Sequence, residues 1–219
     1  MIAAQTFNFL RDLAENNHRD WFLQHKNQYE EARENVIDFA GKLLRQLSKI
    51  DPDIQADTDP KKCVMRIYRD IRFSKDKTPY KNNFGINFKT GFANADLGYY
   101  VHLQPDKSFI GGGYWMPPAN HLRAIRQEID YSGAALNAIV TDASFTHDFS
   151  RFDQQEQLKN NPKGYEADHE FIGLLKLKSF AATHPLTDKE LMSKDSVQTS
   201  ADYLHKILPL NNFLNQALH

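Results

Sequence analysis

The feature that most constrains the fold is a change in the spacing of apolar residues along the chain. Residues 29–47 place apolar side chains in alternating steps of three and four, which predicts a long amphipathic helix that ends by Asp51. Residues 84–88, 99–103 and 108–115 have the alternation and short connections of sequential strands. Beyond Pro118 the spacing is helical again through the final third. The sequence therefore predicts an α+β fold, a single domain over residues 1–219 with a central antiparallel meander sheet and helices before and after it.

Shorter helices are predicted at the N-terminus. Thr6 is a plausible N-cap for a helix that ends near Asn16, and a short helical turn follows at Trp21. The polar, proline-containing stretch 51–62 is predicted to connect the long helix to the next element.

Composition restricts the class of protein. Of 219 residues, 41% are hydrophobic and 25% charged, which is typical of a globular chain. Cys63 is the only cysteine, so it cannot form an intramolecular disulfide, and no apolar run is long enough to span a membrane. The N-terminal residues lack the basic and apolar regions of a signal peptide. We therefore expect a cytoplasmic protein without a membrane partner; composition indicates neither a cofactor nor an oligomeric state.

Charge is distributed unevenly along the chain. Residues 61–81 contain eight basic and two acidic side chains, a net charge of +6, whereas the rest of the chain carries −7. A local excess of positive charge attracts anions. The alternative is a solvated basic loop that neutralises a neighbouring acidic surface.

Arg69 is the most informative residue of this segment. Read as a strand, residues 64–73 place Met65, Ile67, Arg69, Ile71 and Phe73 on one face, which is apolar except for the arginine. A buried guanidinium requires an anionic partner. That partner is either an internal carboxylate in a structural ion pair or a bound phosphate or carboxylate.

The loop that follows is rich in cations and hydroxyl groups. Lys75, Lys77 and Lys81 surround a turn set by Pro79, and Thr78 adds a donor, an arrangement suited to an anion. The glycine spacing of a nucleotide-binding P-loop is missing. The two carboxylates of this cationic region are Asp70 and Asp76. Salt bridges to the surrounding arginines are a more consistent interpretation of them than a Mg²⁺ site.

Residues 111–113 are three consecutive glycines in a predicted strand. They predict a close approach of the backbone, either to a ligand or to the helix after Pro118. Further along, Asp168 is a predicted helix cap, and His169 beside carboxylates is a candidate general base or ligand residue. The nine histidines lack zinc-binding spacing, so no metal site is predicted.

Several blocks of the sequence resemble one family. RIYRDIRFSKDKTPYK at residues 66–81 looks like the signature of the bacterial and fungal family named domain of unknown function 2461. FLRDLAENNHRDWFLQHKNQYEEAR at 9–33, the glycines at 111–113, and PKGYEADHE followed by LKLKSF are similar to further blocks of that family, in the same order. The resemblance implies a single intracellular domain of mixed α and β structure. It implies neither an activity nor catalytic residues.

The function predicted from the residues is the binding of a small phosphorylated or carboxylated anion in a basic pocket, whether or not a reaction follows. The residues predicted to bind the anion are Arg66, Arg69, Arg72, Lys75, Lys77, Lys81, Gly112, Lys163 and His169. One alternative is a single-stranded nucleic-acid-binding module in which Tyr68, Phe73 and Tyr80 stack on bases. The other is a non-catalytic protein interaction domain.

Overall fold

The chain has an α+β fold in which ten helices accompany one four-stranded antiparallel sheet, as the computed structural model describes it for residues 1–90, 96–149 and 157–219. The helices are α1 (Ala4–Glu15), α2 (Arg19–Gln24), α3 (Lys26–Ile50), α4 (Pro60–Cys63), α5 (Ala119–Thr141), α6 (Ala143–Asp148), α7 (Ile172–Leu175), α8 (Asp188–Leu191), α9 (Ser196–His205) and α10 (Leu208–Gln216). The strands are β1 (Phe84–Lys89), β2 (Leu97–Leu103), β3 (Ser108–Tyr114) and β4 (Phe180–Leu186), and they lie in the order β1-β2-β3-β4. The predicted fold class is confirmed.

The clearest periodic segments form the predicted elements. Helix α3 spans the predicted long helix, and β1, β2 and β3 coincide with the three predicted strands. The predicted cap at Thr6 is wrong, because α1 begins after Ala3 and Thr6 is buried within the helix. Its hydroxyl group donates a hydrogen bond of 2.8 Å to Oδ1 of Asn35 on α3, so Thr6 joins two helices instead of capping one.

The fourth strand lies in a region where helices alone were predicted. In β4, Phe180 and Ala182 are buried while the residues between and after them are less so, which is the alternation of a strand. Pro185 lies within the strand, and proline is tolerated in a sheet at an edge, where its missing N–H removes no hydrogen bond. Proline and the small residues obscured this strand in the sequence.

Residues 64–73 do not form the predicted continuous strand. The N–H of Met65 donates to the carbonyl of Gly85 at 2.9 Å, whereas the carbonyl of Ile67 accepts from the N–H of Lys81 at 2.7 Å. The start of the segment therefore pairs with β1 and the next part pairs with the residues around Lys81, so the segment bends between them. Ile67 is buried, but Met65 is 44% exposed and Phe73 95% exposed. The predicted apolar face is wrong for these two residues because the backbone does not stay straight.

The chain divides into two compact units. The first comprises Met1–Phe88, Tyr100–Ile110 and Pro185–Asp202, and in it α3 packs against α1, α2 and α4. The second comprises Lys89–Tyr99, Gly111–His184 and Tyr203–His219, and in it α5 packs against α6, α7 and α10. The single domain over 1–219 stays a prediction. Within the described ranges, every helix is too short or too polar to cross a membrane.

Candidate anion-binding site

The basic hairpin, defined as residues 66–81, forms the centre of the candidate site. The N–H of Arg69 donates to the carbonyl of Pro79 at 3.0 Å, and Tyr68 lies opposite Tyr80 in an antiparallel bridge. Residues 70–78 form the loop between the paired segments. The hairpin therefore carries most of the predicted cations on one short loop and its two flanking segments.

Asn17 fixes the turn between α1 and α2 beside the hairpin. Its side-chain oxygen accepts from the N–H of Tyr80 at 3.1 Å, and its side-chain nitrogen donates to the carbonyl of Tyr80 at 2.9 Å. The amide of Asn17 thus satisfies both backbone groups of one residue, as a neighbouring strand would. The ring of Phe22 on α2 stacks on Tyr80 with the centroids 4.0 Å apart. These contacts place the residues that follow Asn17 next to the loop.

Arg69 is paired with an internal carboxylate. Its Nη1 lies 2.5 Å from Oδ2 of Asp76 and donates to the carbonyl of Thr78 at 3.2 Å and to its hydroxyl group. The side chain of Arg69 is 26% exposed. The structural ion pair that the sequence left as one alternative is therefore present. Arg69 joins the start of the loop to its end.

Asp76 receives hydrogen bonds from three directions. Besides Arg69, the N–H of Thr78 donates to Oδ1 at 2.9 Å, and the Thr78 hydroxyl donates to the same oxygen at 2.9 Å. The backbone N–H of Thr78, followed by Arg69 and the Thr78 hydroxyl, lowers the pKa of Asp76 from 3.8 to about 2. Asp76 is therefore ionised at neutral pH and holds the loop by charge-assisted hydrogen bonds.

An open cleft of about 380 Å³ lies between the turn and the loop. It is lined by Asn17, His18, Arg19, Ile71, Lys77, Thr78 and Pro79. Arg19 and Lys77 bring one cation from each side, and both are exposed. Among the described residues that line the cleft, none is acidic. The cleft is of a size that small ligands occupy.

Two side chains of the cleft have hydrogen-bond donors available. Nδ1 of His18 accepts from the N–H of Trp21 at 3.3 Å, so a neutral His18 ring carries its hydrogen on Nε2 as a donor. Nζ of Lys77 donates to the carbonyl of Ile71 at 2.9 Å and has two further hydrogens. The cleft therefore offers donors in addition to positive charge.

The remaining predicted cations of the hairpin differ in their surroundings. Arg72 binds Asp70 through two hydrogen bonds of 3.0 and 2.7 Å. Together with the Arg69–Asp76 pair, the salt bridges predicted for Asp70 and Asp76 are therefore present. Lys81 is half-buried, and burial followed by the charge of Arg66 lowers its pKa. Within the described part of the chain, Arg66, Lys75 and Lys81 have no ion-pair partner.

The three aromatic residues of the hairpin are not equivalent. Tyr80 is buried against Phe22, so its ring is not available to a ligand. Tyr68 is 52% exposed and packs beside Tyr80 at a centroid distance of 5.5 Å. Phe73, at 95%, is almost fully exposed.

The glycine run in the second unit is explained by packing. A Cβ atom at Gly111 would lie 2.2 Å from the carbonyl oxygen of Ala182, and one at Gly113 would lie 2.0 Å from that of Phe180. Gly112 is buried between Gly98 and Ile207. The close approach predicted from the sequence is present, but neighbouring strands and Ile207 make it rather than the helix after Pro118. The ligand contact predicted for Gly112 stays a prediction.

His169 also lies in the second unit and is held on both sides. Its Nδ1 accepts from the N–H of Phe171 at 3.0 Å, and its Nε2 donates to Asp130 at 3.0 Å. Both ring nitrogens of a neutral His169 are therefore engaged within the second unit, and its role as a general base or ligand residue stays a prediction. Lys163 is exposed. The cap predicted at Asp168 is wrong, because α7 begins after Phe171.

Two further features bear on the chemistry available to the chain, the thiol of Cys63 and the distribution of metal-ligating side chains. Burial raises the pKa of the Cys63 thiol, which opposes its use as a nucleophile. In the ranges that the structure describes, no three His, Cys, Asp or Glu side chains cluster as metal ligands would.

Sequence reasoning missed the turn that forms one side of the cleft. Asn17, His18 and Arg19 lie within the block at 9–33 that resembles the family, but the resemblance implies no role for them, and they lie about fifty residues before the hairpin in sequence. Apart from that block, the local signal is the pair of asparagines at the end of α1, since asparagine favours helix ends and turns.

Comparison with known proteins gives a family and nothing more specific. Residues 5–213 match the family described as "Conserved hypothetical protein (DUF2461)". No curated protein and no solved structure matches the chain. Because the match extends over nearly all of the 219 residues, the chain belongs to the DUF2461 family.

Proposed function

We propose that the first unit binds a small phosphorylated or carboxylated anion in the cleft between the turn at residues 17–19 and the loop of the basic hairpin. The observation that carries this proposal is the composition of the cleft, in which the turn contributes Arg19, the loop contributes Lys77, and none of the described lining residues is acidic. An arginine binds phosphate or carboxylate through parallel hydrogen bonds, and a lysine contributes a compact charge.

The Arg69–Asp76 pair supports the proposal by fixing the loop. Because Asp76 is already occupied by Arg69 and Thr78, its negative charge is compensated within the loop. Arg69 therefore positions Thr78 at the cleft, and Lys77 and Arg19 contact the anion. A site held in place before binding loses less entropy when the ligand arrives.

Partly buried positive charge on the hairpin outside the lining of the cleft adds to the attraction of this region for anions. Lys81 is half-buried, and the charged group that most affects it is a second cation, Arg66. Like charges close together destabilise the folded chain unless an anion lies near them.

Cytoplasmic location belongs to the proposal too, because the only cysteine is a free thiol.

Thermal unfolding with added anions tests the proposal. Phosphate, pyrophosphate, a sugar phosphate and a dicarboxylate are each added at low and high salt. A ligand at a hundred times its Kd adds about 2.7 kcal/mol and raises the midpoint by roughly two to four degrees. Lys77→Gln and Arg19→Gln are expected to weaken this shift at least severalfold. Arg19→Gln is expected to leave the midpoint of the ligand-free protein unchanged, whereas Lys77→Gln lowers it slightly because the hydrogen bond to the Ile71 carbonyl is lost.

Lys62→Gln is the matched control, because Lys62 is an exposed cation of the same charged segment that does not line the cleft. If Lys62→Gln loses as much binding as Lys77→Gln and Arg19→Gln, the anions respond to the net charge of the chain and not to the cleft, and the proposed site is wrong. If none of these anions shifts the midpoint, the proposed function is wrong and a protein interaction domain becomes the better interpretation.

A further inference from the structure

We infer that the anion bound in the cleft is the phosphate of a nucleotide, and that the exposed ring of Phe73 stacks on its base. This inference rests on the proposed function, because it names the class of ligand for the same site.

The exposure of Phe73 is the first observation. Its side chain is 95% exposed, the highest value among the large apolar residues described. The guanidinium carbon of Arg72 lies 5.8 Å from the centre of the ring, within the range of a cation–π contact. Arg72 contacts the ring, yet 95% of the residue stays exposed, so the folded chain buries very little of it. The ring is therefore open to solvent on a cationic loop, where it is available to stack on a flat ligand.

The position of Phe73 relative to the cleft is the second observation. Ile71 lines the cleft, and its carbonyl accepts from the N–H of Ser74 at 3.4 Å and from Nζ of Lys77 at 2.9 Å. Phe73 therefore lies in a tight turn whose first residue forms the wall of the cleft. Lys77, a proposed anion contact, holds that same turn in place.

The combination of charge and an exposed ring indicates the ligand class. Sugar phosphates and dicarboxylates satisfy Arg19 and Lys77 but offer no flat surface to Phe73. A nucleotide has a phosphate for the cations and a π-face for the ring, and every base can stack in this way. The same unit occurs in a free nucleotide and in a single strand of nucleic acid, so both sources share the chemistry that the site recognises.

Calorimetry with two matched probes tests the inference. Ribose 5-phosphate and adenosine 5′-monophosphate share a phosphate and a sugar and differ in the base. We expect the wild-type chain to bind the monophosphate nucleotide about tenfold more tightly, since stacking on an aromatic side chain is worth roughly that factor. Phe73→Ala is expected to remove this preference without changing the Kd for ribose 5-phosphate, and Phe73→Trp to retain it.

Tyr131→Ala is the matched control, because Tyr131 is 79% exposed in the second unit and lies outside the hairpin. Equal Kd values for the two probes in the wild-type chain, or an unchanged preference in Phe73→Ala, would overturn the inference alone. Failure of both probes to bind would overturn the proposed function as well.

A short oligodeoxythymidine distinguishes the two sources of the nucleotide. If a free nucleotide is the ligand, the oligonucleotide binds no more tightly than a single nucleotide, and added salt has a modest effect. If a strand is the ligand, the oligonucleotide binds more tightly and its affinity falls steeply with salt, because several phosphates release counterions. In both cases Phe73→Ala is expected to weaken binding, and unchanged oligonucleotide binding by this variant would contradict the inference.

Discussion

At the scale of single residues, the ion pair of Arg69 decides how the site is interpreted. The sequence places one arginine in an apolar row and requires an anion for it, without specifying which. The structure supplies Asp76, seven residues further along the chain and held by Thr78. Positive charge for a ligand therefore comes from the cations that no carboxylate neutralises, and Arg69 organises the loop that presents one of them.

The pKa of Asp76 gives a prediction for acid stability. Because its pKa is lowered from 3.8 to about 2 in the folded chain, Asp76 contributes stability above pH 3.8 that is lost as the pH falls through about 2. Asp76→Asn removes the charge, so the variant is expected to lose less stability than wild type across this window. Urea unfolding at several acidic pH values measures the difference.

The same substitution is expected to weaken anion binding severalfold at neutral pH, because the loop loses its cross-link to Arg69. Asp57→Asn is the control, since Asp57 is exposed and forms no described hydrogen bond or ion pair. Identical acid dependence of stability in wild type and Asp76→Asn would show that the carboxylate does not hold the loop in solution.

At the scale of elements, the glycines of β3 show how close packing of strands accounts for a suggestive motif. Three glycines in a strand suggest a backbone that approaches a ligand; in this chain the backbone of β4 approaches Gly111 and Gly113, and Gly98 of β2 approaches Gly112. Gly113 has φ +104° as well, a conformation that residues with a Cβ adopt only with strain. The close spacing between β3 and β4 therefore depends on the absence of side chains at Gly111 and Gly113.

Gly113→Ala is expected to destabilise the chain by about 3 kcal/mol, since it combines a positive φ with a Cβ placed against backbone atoms. The new atom would lie 2.0 Å from the carbonyl oxygen of Phe180 and 3.0 Å from the Cα of Ala181. Gly173→Ala in α7 is the matched control, because nothing lies within 4 Å of its Cβ position. Chemical denaturation compares the two, and equal stability would return the glycine run to the list of candidate ligand contacts.

At the scale of the whole molecule, regular periodicity was predictable and local departures from it were not. The steps of three and four in α3 and the alternation in β1 and β2 are long enough to specify an element. Strand β4 was missed because Pro185 and small residues interrupt the alternation, and residues 64–73 were misread because they change partners midway. The cations of the hairpin were identified from their density, whereas Asn17 and Arg19 reach the cleft through tertiary contacts that no local pattern encodes.

Both units contain tyrosines whose pKa burial raises. Tyr29, Tyr80 and Tyr100 lie in the first unit, and Tyr114 and Tyr165 in the second. The ordinary pKa of these phenols is 10.0. As the pH rises, they therefore ionise in the unfolded chain at a lower pH than in the folded chain. The folded chain therefore holds more protons above that pH, and its stability decreases.

We accordingly expect the free energy of unfolding to fall from about pH 10 upward, after a smaller loss that begins near the ordinary pKa of the Cys63 thiol, 9.0.

Tyr100 is the clearest contributor, because burial alone raises its pKa. Its hydroxyl lies 3.1 Å from Nδ1 of His102, so Tyr100→Phe is expected to cost about 1 kcal/mol at neutral pH. The variant should also lose less stability than wild type at alkaline pH, since one ionising phenol is gone. Urea unfolding, followed together with tyrosinate absorbance over this range, measures both effects. The same alkaline loss in wild type and Tyr100→Phe would mean that Tyr100 ionises as readily in the folded chain as in the unfolded one.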